Sequence, residues 1–278
     1  MLLAIDARNR LLSLGFRSGE SWLARRRIAS WPHRSADEYA LLLRAFAEDC
    51  VDAKALSGEG GRIDSAWISS VVPSLAREIQ AAVESAFGLS CSIVGPGVRT
   101  GLRIRTDVPS ELGSDLVCQA VAARELVGGK ACIVVSFDAA IAFSAIGRSG
   151  DFLGVAIAPG IETAVESFHE RAALLPEVPM EGSVAAIGKN TGQSIRAGVS
   201  LGYAGLVERL VRAQAEELAA LGEAEDGDSV ELVGTGSEEG RRILAALGRG
   251  RFAPDLALDG IAAIAALAAI GPRAPLSR

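Results

Sequence analysis

The chain has 278 residues, of which 49% are hydrophobic and 22% are charged, and its formal net charge is -6. This composition is typical of a globular protein with enough length for two domain-sized cores, and it excludes an intrinsically disordered chain. Because the net charge is negative, we expect neither nucleic acid nor an anionic membrane among the partners.

The four cysteines show no C-x-x-C spacing, and only two histidines accompany them. This pattern supports neither a zinc site nor a disulfide framework, so a reduced cytoplasmic setting is expected. The sequence starts with an apolar strand pattern rather than a charged leader, and we therefore expect no signal peptide. The longest apolar stretch, residues 261–270, is too short to span a bilayer and predicts a packed terminal helix.

The first half of the chain alternates strand and helix patterns. Ser35 and Glu38 form a capping box ahead of apolar residues at helical spacing, and Pro73 and Gly88 are suited to begin and end a second helix. The predicted elements are, in chain order, strands at 2–5 and 11–16 joined by a turn at 6–10, a helix at 35–50, a strand at 66–72, a helix at 73–87 and a strand at 91–94.

The second half repeats the pattern of strand, Asp-containing turn and strand, followed by helices. The predicted elements are a helix at 114–126, a hairpin at 130–146, a strand at 151–158, helices at 161–172 and 191–221, a strand at 230–233 followed by a turn at 234–236, and the terminal helix. The repeat predicts two related α/β domains, which we expect at residues 1–113 and 114–278.

Two arginines lie in the first predicted turn. Phosphate-binding hairpins carry small residues there, because small residues let phosphates approach the backbone. Arg8 and Arg10 can hold an anion by bidentate hydrogen bonds, but they fill the space that a triphosphate needs. The alternative is an ordinary hairpin turn with two solvated arginines. A further basic run at residues 25–27 is expected on an exposed strand edge.

Several short peptides, in order along nearly the whole chain, resemble the motifs of the type III pantothenate kinase family. Each peptide is a weak signal alone, but the ordered set is strong evidence for homology and hence for the fold. The peptides are residues 2–6, 36–39, 69–73, 95–97, 100–102, 113–115, 156–160, 188–191 and 255–260.

The resemblance implies a duplicated α/β fold of the actin-like, ribonuclease H-like (ASKHA) class, with two α/β domains and a central cleft. It also implies ATP-dependent phosphorylation of pantothenate in coenzyme A biosynthesis, by a homodimer that uses Mg²⁺ and a monovalent cation such as K⁺ or NH₄⁺. The terminal helix is expected in the second domain.

The resemblance assigns site residues as well. Asp115 matches the general base of the family, and Asp6 matches the carboxylate on the metal side. The expected nucleotide-binding residues are Asp6, Asn9, Gly234, Thr235 and Gly236. The expected substrate-binding residues are Gly95, Gly97, Thr100, Gly101, Gly113, Ser114 and Thr191.

The chain departs from the family at the nucleotide end. Arg8 and Arg10 replace a glycine and a threonine of the first motif, and Leu116 replaces an arginine expected near the substrate carboxylate. Ser136 replaces the carboxylate that serves the monovalent cation, so we expect that site to be lost. Asp138 lies two residues further along the same predicted strand face, and whether it compensates for Ser136 stays open.

Phosphoryl transfer depends on positioned cations and donors that neutralise charge on the transferring group. Because several such groups are missing together, the first hypothesis is a homologue that turns over ATP slowly or not at all when alone, and that pairs with itself or with an intact paralogue. The second is an active, diverged pantothenate kinase in which Arg8, Arg10 and Asp138 substitute for the missing groups. The third is a non-catalytic sensor that binds pantothenate, a coenzyme A intermediate or another acid without transforming it.

Overall fold

A computed structural model describes residues 1–52, 62–171, 178–180, 182 and 184–270. Contacts within the chain define two compact units. Unit 1 comprises the described parts of 1–102, 108–122 and 256–278, and unit 2 comprises the described parts of 103–107 and 123–255.

Unit 1 is built on a five-stranded sheet in the order β3-β2-β1-β4-β5. β1 pairs antiparallel with β2, which pairs antiparallel with β3, whereas β4 and β5 continue the other side of β1 in parallel. The basic run at 25–27 lies on edge strand β3, as expected. The strands are β1 (Leu2–Ala7), β2 (Leu11–Ser18), β3 (Ser21–Ala29), β4 (Ser65–Ser70) and β5 (Cys91–Ile93).

Helices cover both faces of this sheet, which explains why β1 is continuously apolar. Leu3 and Ile5 share a core cluster with residues of α1 and α2, whereas Ala4 shares a different cluster with residues of α3 and α7. The helices of these layers are α1 (Ala36–Asp52), α2 (Pro73–Phe87), α3 (Ser114–Leu126) and α7 (Leu256–Ala269).

Both predicted helix signals of the first half are confirmed. The backbone nitrogen of Ser35 donates to Glu38 Oε2 at 2.8 Å and that of Glu38 donates to Ser35 Oγ at 3.4 Å, which together form the capping box of α1. Pro73 begins α2, and Gly88 ends it with a left-handed backbone, φ 68°.

Unit 2 is built on a six-stranded sheet in the order β11-β10-β7-β8-β9-β6. Without β6, its strand order and directions repeat those of unit 1, so the predicted duplication is confirmed. The strands are β6 (Arg103–Ile104), β7 (Cys132–Phe137), β8 (Ala140–Ile146), β9 (Asp151–Pro159), β10 (Glu231–Gly236) and β11 (Arg251–Phe252).

Three further helices belong to unit 2. Their apolar residues join those of β7 and β8 in one core, with Val135, Phe143 and Val207 fully buried. The helices are α4 (Ile161–Arg171), α5 (Thr191–Ala220) and α6 (Glu238–Ala246). Residue 172, the predicted end of α4, lies outside the described residues. None of the helices in the described parts of the chain is long and apolar enough to cross a membrane.

The contact-based units differ from the predicted domain division at residue 113. Residues 114–122 of α3 and the described part of α7 belong to unit 1. The physical reason is that Cys118 of α3 and Ile261 of α7 pack in one cluster with Ala4 of β1. The domain boundary at residue 113 therefore stays a prediction; β6, which lies before that residue, belongs to the sheet of unit 2.

Candidate functional site

A buried ion pair lies at the end of β1. Asp6 is 3% exposed and Arg8 is 9% exposed, and Arg8 Nε donates a hydrogen bond to Asp6 Oδ2 at 2.7 Å. No described residue other than glycine has a positive φ, so Arg8 occupies the family's glycine position without backbone strain. The alternative of two solvated arginines is therefore wrong for Arg8, whereas Arg10 is exposed.

Hydroxyl groups connect the end of β4 with the start of α3. Ser69 is fully buried and pairs in register with Asp6 of β1. The Oγ atoms of Ser69 and Ser114 are 2.9 Å apart, and Ser114 Oγ also accepts from the backbone nitrogen of Ser70 at 3.1 Å. This network fixes the N-terminus of α3 beside the strand that carries Asp6.

The half-buried Asp115 is the second residue of α3, and its carboxylate lies against Gly113. A Cβ at Gly113 would be 2.5 Å from Asp115 Oδ1 and 3.5 Å from Val71 Cγ1. The carbonyl of Gly113 accepts hydrogen bonds from Leu116 and Val117, so this residue also begins the helix. A side chain at position 113 would therefore displace the carboxylate of Asp115 from this position.

The fully buried thiol of Cys118 is influenced by both carboxylates of this region. Burial is the largest effect and raises the pKa of Cys118, and the negative charges of Asp6 and then of Asp115 raise it further. A hydrogen bond with Ser69 and the positive charge of Arg8 lower it. Asp6 and Asp115, which the sequence predicts as site residues, thus lie at the same end of unit 1. Ser69 and Cys118 were not predicted, although a Ser-Ser pair closing a buried strand is a usable signal.

The residues around Asp6 do not fit a divalent metal. A hard divalent cation needs several oxygen ligands, and the described residues include no group of three or more His, Cys, Asp or Glu side chains that could hold one. The guanidinium of Arg8 moreover occupies one oxygen of Asp6 and carries the same sign of charge as a metal.

The predicted substrate-side residues between positions 95 and 101 form a tight loop after β5. Gly95 O accepts from the backbone nitrogen of Val98 at 3.1 Å, and Thr100 Oγ1 accepts from that of Leu102 at 3.3 Å. Gly97 and Gly101 belong to the same loop, in unit 1. These contacts explain the turn, and a ligand role for the loop stays a prediction.

The second hairpin, in unit 2, differs from expectation at Asp138. β7 ends at Phe137, and Asp138 lies in the turn to β8, where its Oδ1 accepts from the backbone nitrogen of Ala139 at 2.8 Å. Asp138 therefore does not share a strand face with Ser136, and that expectation is wrong. Ser136 is 3% exposed in β7 and offers only a hydroxyl at the position where the resemblance leads us to expect a carboxylate.

Gly234, Thr235 and Gly236 are part of β10 rather than a turn beyond it. They pair in register with Val135, Ser136 and Phe137 of β7. The side chains of Leu244 and Phe252 fill the space above Gly234, so a glycine-rich segment continues as a strand here. The prediction that β10 stops at residue 233 is therefore wrong.

Thr191, the remaining predicted substrate residue, is exposed at the start of α5 in unit 2. The preceding Asn190 caps the helix by accepting from the backbone nitrogen of Gln193 at 2.9 Å. Within unit 1 the structure thus brings together Asp6, Gly113, Ser114 and Asp115, whereas Thr191 and the three β10 residues belong to unit 2.

Comparison with known proteins identifies the family. A family model described as type III pantothenate kinase matches residues 2–213. The type III pantothenate kinase of Dehalococcoides mccartyi is 36% identical over 265 residues, which cover 94% of this chain and 93% of that protein. The one from Moorella thermoacetica is 40% identical over 218 residues, covering 78% and 83%. The chain belongs to the type III pantothenate kinase family.

Solved structures support the predicted fold class. A Campylobacter jejuni protein assigned to the Baf family of transcriptional activators has a TM-score of 0.57 at 15% identity, covering 96% of this chain and 99% of that one. A Sinorhizobium meliloti protein assigned as a 2-dehydro-3-deoxygalactonokinase has a TM-score of 0.56 at 16% identity, covering 98% and 100%. At such identities the likeness concerns the fold alone, which is the predicted actin-like α/β fold of this pantothenate kinase family member.

Proposed function

We propose that the chain binds pantothenate but phosphorylates it very slowly, or not at all, when it acts alone. The observation that carries this proposal is the 2.7 Å ion pair between Arg8 and Asp6. The carboxylate that the family resemblance assigns to the metal side is already neutralised by a side chain that cannot lose its proton. ATP with Mg²⁺ therefore meets a guanidinium where a metal ligand is needed.

Two other replacements act in the same direction. Ser136 supplies no charge for a monovalent cation, and Leu116 supplies no hydrogen bond for the carboxylate of pantothenate. Loss of a single preorganised donor in an active site typically lowers the rate about a hundredfold or more. Because kinases turn over at roughly 1–100 s⁻¹, several such losses together lower the rate of this chain below practical detection.

Apart from Leu116, the substrate-side residues that the resemblance assigns are present, and they support retained binding. We assign Asp115 as the group that accepts the proton of the substrate hydroxyl, and Gly113 and Ser114 as the residues that hold Asp115 in place. The proposed pantothenate-side residues are Gly95, Gly97, Thr100, Gly101, Gly113, Ser114 and Thr191, and the proposed remnants of the nucleotide side are Asp6, Asn9, Gly234, Thr235 and Gly236.

A chain that keeps a pantothenate-binding side but has lost the nucleotide-binding side can contribute to catalysis when a partner subunit supplies the nucleotide-binding residues. We therefore propose a cytoplasmic dimer, with a second copy or with an intact paralogue, in which this chain contributes to a pantothenate pocket. Of the three hypotheses, the Arg8–Asp6 pair disfavours the active diverged kinase most, since Arg8 binds the carboxylate instead of leaving it to a metal.

The test is a turnover assay that separates phosphorylated pantothenate from pantothenate after incubation with ATP and Mg²⁺. We expect no product from the chain alone, and none from Arg8→Gly/Arg10→Thr, because the 136–142 segment is also altered. Turnover of the unmodified chain at an ordinary kinase rate would refute the proposal. Full rescue by the double substitution would show that the defect lies in the first hairpin alone.

A further inference from the structure

The side chains of Arg8 and Asp6 form a pair that is almost closed to solvent, with 11% and 4% of their surfaces exposed. A carboxylate buried to this extent is strongly disfavoured unless a positive charge and hydrogen bonds balance it. In this chain the balancing charge is built into the sequence two residues after the carboxylate. It does not depend on any dissolved ion.

We infer that Arg8 is a resident cation that takes the place of a divalent metal at Asp6, so that the chain binds its anionic ligand without Mg²⁺. The exclusion of metal follows from the pair itself, whereas the identity of the anionic ligand as pantothenate rests on the proposed function. Replacing Arg8 by a neutral residue should leave the Asp6 carboxylate able to bind a divalent cation that keeps most of its water ligands.

The surroundings of Arg8 favour this outcome. Asp6 pairs in register with Ser69 of β4, and Ser69 Oγ lies 2.9 Å from Oγ of Ser114, the residue before Asp115, so the two carboxylates lie at the same end of unit 1. When Arg8 is replaced by a neutral residue, the carboxylates of Asp6 and Asp115 lose one positive charge that balances them. Removal of a positive charge beside a carboxylate favours the binding of a cation there.

The substitution is compatible with the backbone. Arg8 has a negative φ, and its backbone nitrogen donates to Leu11 O at 2.9 Å, a hydrogen bond that glycine keeps. Arg8→Gln is a second neutral variant, whose side-chain amide can still donate to Asp6 and support folding. Arg8→Lys keeps the charge, and Arg10→Ala removes a charge from the exposed part of the same turn.

The experiment measures Mn²⁺ binding to the full chain by the electron paramagnetic resonance signal of free Mn²⁺, without nucleotide or substrate. We expect Arg8→Gly and Arg8→Gln to bind Mn²⁺ at least about a hundredfold more tightly than the unmodified chain. Arg8→Lys and Arg10→Ala should not gain this binding, and Asp6→Asn/Arg8→Gly should lose it. The thermal midpoint of Arg8→Gly should rise with Mn²⁺, while that of the unmodified chain should not.

Mn²⁺ binding by the unmodified chain that Asp6→Asn abolishes would overturn the inference, and so would equal gains in the Arg8→Gln and Arg10→Ala variants. Pantothenate titrations in EDTA and in Mg²⁺ complete the test, and equal affinities are expected. A requirement for Mg²⁺ would contradict the resident-cation inference. Absence of pantothenate binding under both conditions, with the Mn²⁺ pattern intact, would instead refute the proposed ligand.

Discussion

Gly260 lies where the backbone of α7 packs closely on that of α3, and replacing it by alanine should destabilise unit 1. A Cβ at this position would be 1.8 Å from the carbonyl oxygen of Cys118 and 2.4 Å from its carbonyl carbon, whereas ordinary van der Waals contact begins at 3.4 Å. The atoms in conflict are helix backbone, so no side-chain rotation relieves them. The two helices must separate.

The cost follows from this geometry. Overpacked cores typically lose 1–3 kcal/mol, and we expect a loss of about 3 kcal/mol because the conflict is with backbone, reduced by up to about 1 kcal/mol because alanine favours the helix. The fully buried Ile261 and Ile264, which share the cluster of Cys118, lose contacts as the helices part. The thermal midpoint should fall by roughly 4–10 °C.

Urea unfolding followed by circular dichroism measures this loss, with Gly202→Ala as the matched control. Gly202 lies inside α5 and is exposed, and a Cβ added there would meet no atom within 4 Å. Alanine there should stabilise the chain by about 0.5–1 kcal/mol, since it only removes the entropic penalty of glycine. A Gly260→Ala variant as stable as the unmodified chain, or stabilised like the control, would refute the packing argument.

Two further predictions concern titrating groups. Hydrogen bonds from Arg105 and Arg103 lower the pKa of Asp151. The stability that Asp151 adds should therefore be complete above its unfolded pKa of about 3.9, and it should be lost as the pH falls through the lowered folded pKa. Urea unfolding of Asp151→Asn and of the unmodified chain tests this, and a stability difference that does not change with pH would contradict it. Burial raises the pKa of Cys91 and of Cys132 to about 12, and all four cysteines are buried and free. A thiol reagent should therefore label the native chain slowly, and it should label four thiols in urea. Fast labelling of the native chain would contradict this prediction.

Much of the fold follows from local patterns in the sequence. The apolar run in β1 predicts a strand because both faces of that strand are buried, and the Ser35–Glu38 pair predicts the start of α1 because its hydrogen bonds are local. The duplication is also visible as a repeated order of patterns. These features depend on neighbours in sequence, which explains why they are predictable.

The corrections concern strand ends and side-chain pairings, which the periodicity of the sequence does not show. Glycines 234 and 236 resemble a turn in sequence, but both pair in register with β7, and Leu244 and Phe252 leave no room for a side chain at position 234. Arg8 resembles a solvated turn residue, but its pairing with Asp6 buries it. The expected strand position of Asp138 is wrong because strand periodicity does not show that β7 ends at Phe137.

The most direct test of the account is isothermal titration of the unmodified chain with pantothenate and with a non-hydrolysable ATP analogue in Mg²⁺, each alone and then together. The account predicts that pantothenate binds, that the analogue binds weakly or not at all, and that neither changes the affinity for the other. Tight binding of the analogue that requires Mg²⁺ and is abolished by Asp6→Asn would contradict the account, because it would mean that Asp6 serves a metal despite its pairing with Arg8.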